Sequence, residues 1–310
     1  MKKLLLCTFV ISSLVLNACG LFKEDEKVTN LKALDTLQLS KIDSSIQYGA
    51  TTEEKLKALD ELLVFVETNF SNAISELQDN DRSKVRINGA KNLKELGSRI
   101  YNIRSHAWNL STESEITDKA FTDKAFKVYM DISSHIEKAV SALDKARSDE
   151  DETVRLHVVS AVGLFAQDAI YLTKPLIEET MNDKEPTVRS MVIITLGYIA
   201  ITSHQKMDEY EKTSTESLNM EERTRAVKNF EEMKDNIEVI VAQLINAVED
   251  KEEHKEVRKT AAVILGSLGK DAAEALRPLK DIWYDSAEER ELRDEAEKAY
   301  DQIKSAVNKE

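Results

Sequence analysis

The sequence predicts an all-α chain of repeated helix pairs, an α-solenoid, and three observations carry that expectation. Only 8 glycines and 3 prolines occur in 310 residues, while the strong helix formers Ala, Leu, Glu and Lys are abundant. A Val-Arg pair recurs at Val154-Arg155, Val188-Arg189 and Val257-Arg258, each followed in register by Gly163, Gly197 or Gly266. Each copy also follows another helical stretch that ends in acidic residues, so the unit is two helices in about 35 residues.

The chain opens with Lys2 and Lys3, an apolar run from Leu4 to Leu16, and small residues before Cys19. That run is too short to span a bilayer as a mature helix and has the layout of a secretory signal. The "LNAC" of Leu16, Asn17, Ala18 and Cys19 resembles the lipobox of bacterial lipoproteins, with Asn17 where a smaller residue is commoner. The resemblance implies that residues 1–18 are removed, that the Cys19 thiol takes a diacylglyceryl group and that the new amino terminus is acylated. Buried acyl chains contribute about 0.8 kcal/mol per methylene, so two or more chains anchor a protein stably.

The other cysteine, Cys7, lies in the segment expected to be removed, so the mature chain is expected to have no thiol for a disulfide and to rely on its core. No later run reads as long and apolar enough for a membrane span. Residues 19–50 then comprise the lipidated cysteine, a charged tether in "GLFKEDEKVTN" and a short helical lead-in. The formal net charge is -14, and removing Lys2 and Lys3 makes the balance more acidic still. That balance opposes nucleic-acid binding and general electrostatic attraction to anionic lipid.

From residue 51 to 310 the chain reads as the repeat array. Apolar residues follow each anchor valine at helical spacing: Val158, Val159, Val162 and Phe165; Val192, Ile193, Leu196 and Ile199; Ala261, Ala262, Leu265 and Leu268. Weaker copies begin at Val85 and Leu292, and the polar surface of the latter suits a terminal cap. The anchors Val85, Val154, Val188, Val257 and Leu292 are 69, 34, 69 and 35 residues apart. Each long interval is about twice the short one, so each is read as hiding a degenerate unit, near 101–125 and near 203–236.

Repeated in register, these motifs resemble the HEAT repeat family in its short bacterial form, over roughly Glu54 to Ala306. The resemblance implies a structural ladder in which Arg155, Arg189 and Arg258 meet aspartates of inter-helix turns, where Asp149, Asp183 and Asp250 stand. Arginine suits a site partly over an apolar face, because its planar fork forms paired hydrogen bonds and keeps its charge. Glycine within a helix costs about 1 kcal/mol relative to alanine, a cost that close approach of the next helix offsets.

No catalytic set is legible. The histidines His106, His135, His157, His204 and His254 lack the pairing of a zinc site, and His157 is expected at the surface or a boundary. The acidic clusters lack the ligand alternation and turn glycine of a calcium loop. There is no phosphate loop, nucleophile elbow or Cys-His arrangement. Neither metal nor cofactor is expected beyond the covalent lipid at Cys19.

Candidate partner-binding residues are Trp108, beside an expected long loop, and Met220 and Phe230 of the amphipathic set Met220, Val227, Phe230 and Met233. Together these features predict a non-enzymatic, membrane-anchored bacterial lipoprotein that holds envelope proteins. Its expected place is the outer membrane, facing the periplasm or the cell exterior. Two other functions are compatible with the same residues: a surface lipoprotein binding a host or neighbouring-cell ligand, and an enzyme or its accessory, since some HEAT-like proteins resemble lyases acting on bilin chromophores.

Overall fold

The computed structural model describes residues 36–49, 51–112 and 118–309. Residues 1–18, expected to be removed, Cys19 and the charged tether lie outside these residues. Every regular element among the described residues is helical. They form two compact units, one spanning Lys27–Asp168 and the other, among described residues, Ala169 onward.

In the first unit α1 (Thr36–Tyr48) precedes two helix pairs, α2 (Thr52–Leu77) with α3 (Ser83–Thr112) and α4 (Lys119–Ala146) with α5 (Glu152–Leu164). In the second, the short α6 (Thr173–Glu178), flanked by single 3-10 turns, precedes α7 (Pro186–Glu216). Then come α8 (Met220–Glu249) with α9 (Lys255–Leu268), and α10 (Leu276–Tyr284) with α11 (Arg290–Val307). The fold is all-α, of the α-solenoid class. The Val-Arg motif always begins the second helix of a pair.

Local chemistry sets where these helices start. Thr51 and Glu54 form a reciprocal capping box on α2. Asp118, Asp151 and Asn219 each accept from two backbone N–H groups at the starts of α4, α5 and α8. Pro186, which has no N–H to lose, opens α7. The template faces then go inward: Val257, Ala261, Ala262, Leu265 and Leu268 of α9 are all buried, as are Leu292, Ala296, Ala299 and Ile303 of α11.

The long intervals between anchors differ from the expectation. Neither holds an extra helix pair. Residues 101–112 continue α3, which is 30 residues long, and α4 follows with 28. Residues 203–216 continue α7, and 220–236 open α8, helices of 31 and 30 residues. At 1.5 Å per residue such helices reach about 45 Å, twice the length of α5 or α9. A heptad-like pattern that simply continues adds the same number of residues as a second pair, so spacing alone does not separate the two.

One helix also revises the hydropathy reading: α7 contains an 18-residue window of mean hydropathy 1.2, long and apolar enough to cross a membrane by composition. Its apolar residues Val188, Met191, Val192, Ile193, Leu196 and Ile199 are buried in the second unit, so this is a core helix.

Two template glycines are explained by close approach. A Cβ on Gly266 would lie 2.9 Å from the Cα of Ala299, where α9 meets α11. On Gly197 it would lie 2.7 Å from a methyl of Ile264. Backbone against backbone leaves no room at the first site, and only a shift of Ile264 would make room at the second.

Candidate interaction surface

The arginines at the start of the motif helices form rungs. Arg86 Nε and Nη2 donate to Asp149 Oδ2 and Oδ1 at 2.7 and 3.0 Å, and Nη1 donates to the Asp79 carbonyl at 3.2 Å. Arg189 donates to both oxygens of Glu253, at 2.9 and 2.5 Å, and to the Asp183 carbonyl at 2.6 Å. Arg258 donates to both oxygens of Glu288, each at 2.8 Å, and to the Val248 carbonyl at 3.0 Å. Arg155 donates to the carbonyls of Asp149 and Glu150 in its own turn.

At Arg86, Arg189 and Arg258 the guanidinium satisfies a carbonyl in its own turn or at the end of the helix before it, and grips a carboxylate in the turn of the following pair. For Arg189 and Arg258 the carboxylate is a glutamate, Glu253 or Glu288, rather than the expected aspartate. Asp149 serves Arg86 by its carboxylate and Arg155 by its carbonyl. Asp250 does not face Arg189: its Oδ1 accepts from the Glu252 N–H, closing the turn, and Glu253 supplies the rung. The Asp183 carboxylate accepts from the Glu185 N–H. Asp250 is used to bend its turn and the longer Glu253, nearer the helix start, reaches Arg189, whereas Asp149 both closes its turn through the Asp151 N–H and holds Arg86. Glu288 is nearly buried, and the Arg258 guanidinium beside it holds its carboxyl below the usual range.

Trp108 lies within α3, four residues before its end at Thr112. It is 44% exposed and heads an aromatic cluster in the first unit, its ring 5.0 Å from Tyr129 and 6.4 Å from Phe126. Phe126 and Met130 are also about half exposed. Phe126 and Tyr129 fall outside the Val-Arg template, so the repeat pattern does not single them out. A second cluster on the other unit, Trp283 with Tyr284 at 4.5 Å and Tyr300 at 5.9 Å, was also missed.

The α7–α8 hairpin forms an arm. Between Met207 and Asn236 only Ala226 is buried. Met220 is 75% exposed and Val227 52%, on the outer side of α8, whereas Phe230 and Met233 are half-buried. The amphipathic set therefore divides, and Phe230 is not on the same side as Met220.

The histidines are structural. His157 is buried, not at a surface or boundary, and burial pushes its pKa down to about 4, with Lys91 and Lys94 adding to the shift. His106 Nδ1 lies 3.0 Å from Asp43, joining α3 to α1, and His204 lies 2.9 Å from Asp271, whose carboxylate raises the imidazole's pKa. His135 stacks on Phe70 and His254 caps α9. Among the described residues no group of His, Cys, Asp and Glu has the arrangement of a metal site. A broad groove of about 880 Å³ between α2 and α4 is lined by Ser71, Ser75, Ser134, Ser141, Lys138 and Lys145, among others.

No known family profile matches the chain, and no curated protein matches it in sequence. Solved structures do resemble it in part. A computationally designed armadillo repeat protein for modular peptide recognition is 15% identical, covering 86% of this chain and 99% of its own, with a TM-score of 0.40. Kap95p from a complex with RanGDP is 14% identical over 96% of this chain and 43% of its own, with a TM-score of 0.39. In the CpcE–CpcF complex of phycocyanin lyase from Nostoc sp., the matched chain is 16% identical, with coverages of 76% and 94% and a TM-score of 0.23. At these values the likenesses say nothing about what this chain binds.

Proposed function

We propose that this chain is a bacterial lipoprotein, tethered through acylated Cys19, whose helix-pair repeats serve as a non-catalytic scaffold for other envelope proteins. One observation carries the scaffold reading. Buried rungs such as Arg258–Glu288 are consumed in holding repeats together, while large apolar groups stay exposed on long, regular helices. Trp108 with Phe126 and Tyr129, and Met220 with Val227, are large side chains held outward at little conformational cost, as protein contacts require. The repeat architecture supports this use, since its core is set by neighbouring pairs and its surface is left to vary.

The tether rests on Leu16, Asn17, Ala18 and Cys19, and the outer membrane is its proposed site, with the repeats facing the periplasm or the exterior. Covalent lipid is the sole prosthetic group proposed, and no enzymatic activity.

Mild in-cell cross-linking followed by affinity recovery tests the reading, with the native chain compared with Cys19→Ala and Trp108→Ala. Recovery of one envelope protein in constant ratio, reduced by either substitution, is the expected result. If palmitate labelling fails to mark the native chain at Cys19, the tether is overturned. If neither form recovers a constant partner, so is the scaffold.

A further inference from the structure

The outer side of α8 carries a stripe that matches itself. Met220, Arg223, Val227 and Glu231 stand at offsets 0, 3, 7 and 11, one face of a helix, and all four are exposed. Most other charges along this helix are already satisfied within it: Arg225 pairs with Glu221, Lys228 with Glu232 and Lys234 with Glu238. Arg223 donates to the Ser214 carbonyl but has no carboxylate partner among the described residues, and Glu231 has no cationic one. Arg223 and Glu231 are each four residues from Val227.

We propose that α8 is a homodimerisation surface, with a second copy of this chain lying antiparallel across it and the two-fold axis passing at Val227. Antiparallel alignment about that residue sets Arg223 of one copy opposite Glu231 of the other, and the converse, giving two identical ion pairs. An isologous contact requires this reciprocity, residue i meeting j and j meeting i. Val227 meets its own counterpart, and Met220 lies against the aliphatic stem of the second copy's Lys234, leaving that ammonium in water. Parallel alignment would instead set Arg223 against Arg223 and Glu231 against Glu231. The charges therefore select the antiparallel arrangement. The contact is short and falls below the size of a stable interface, so the dimer is weak in dilute solution and gains from any anchoring that concentrates the copies. The self-contact takes up Met220 and Val227 and leaves the Trp108 cluster for the partner-holding role proposed above.

Self-apposition at the axis gives the test. Val227→Cys is introduced into the full chain, with the chain lacking this substitution as the control for any disulfide through Cys7 or Cys19, and cells are treated with a mild oxidant. Val227→Cys is expected to form a disulfide-linked dimer several-fold faster than Lys228→Cys, its neighbour a third of a turn away. Adding Arg223→Glu or Glu231→Arg to Val227→Cys is expected to slow cross-linking, and adding both to restore it, because the reversed charges still match across an antiparallel pair. Equal rates at positions 227 and 228, or failure of the double reversal to restore the rate, overturns the proposal. All these positions are exposed, and circular dichroism on each variant checks that the helices remain.

Discussion

Arg258 is 6% exposed, and its carboxylate partner Glu288 is almost as deeply placed. Removing one member of such a pair strands the other charge away from water, which costs about 3–5 kcal/mol. Arg258→Ala is expected to lower the unfolding free energy read from urea denaturation by that order, whereas Arg258→Met combined with Glu288→Leu is expected to recover much of the loss. An equal loss in the double variant would show that the rung stabilises by more than charge balance. His157 offers a second test at this scale. Its folded pKa, about 4, lies below the ordinary 6.5, so the unfolded chain binds the extra proton first. Its contribution to stability is complete above about pH 6.5 and falls as pH drops toward 4. His157→Gln should flatten the dependence of Tm on pH across that window. An unchanged slope would mean that burial does not depress the imidazole.

Among the elements, α9 and the α7–α8 arm make opposite predictions. At Gly266 the Ala299 backbone blocks even a methyl group, so Gly266→Ala forces α9 and α11 apart. Its better helix propensity offsets about 1 kcal/mol, and overpacking costs of about 1–3 kcal/mol outweigh it. A lowered Tm is expected, and a raised one would show that the two helices separate freely. The arm should tolerate much more. Replacing 207–233 with a short glycine-containing turn removes few buried groups, so cooperative unfolding is expected to survive with a modest change in urea midpoint. Loss of the cooperative transition would mean that the arm is part of the second unit's core. The repeat helices were legible from sequence because their apolar spacing is regular and anchored by Val-Arg. The arm was not, because a longer helix and an additional short pair contain the same residues in the same periodicity.

Over the whole molecule, acid should act through the carboxylates that join successive turns. Arg258 holds the Glu288 carboxyl below its ordinary value of 4.5, and Lys259 does the same to Glu291. The Ala287 N–H, with Lys251, lowers Asp285. Groups with depressed folded pKa values stabilise fully above their unfolded values and lose that contribution as pH falls through the folded ones. The second unit is therefore expected to lose stability below about pH 4.5, and Glu288→Gln is expected to remove part of that loss. Circular dichroism during acid titration checks both, and a midpoint unmoved by Glu288→Gln would discount the rung. Composition, the Val-Arg-Gly register and the acidic turns by themselves determined an all-α protein of paired helices, because helix propensity and one buried face are local properties. Which carboxylate each arginine grips, which glycine meets a backbone, where His157 lies and how far α7 and α8 extend were decided only by tertiary packing. Each depends on distances between residues some 30 or more positions apart, and helical periodicity does not encode such distances.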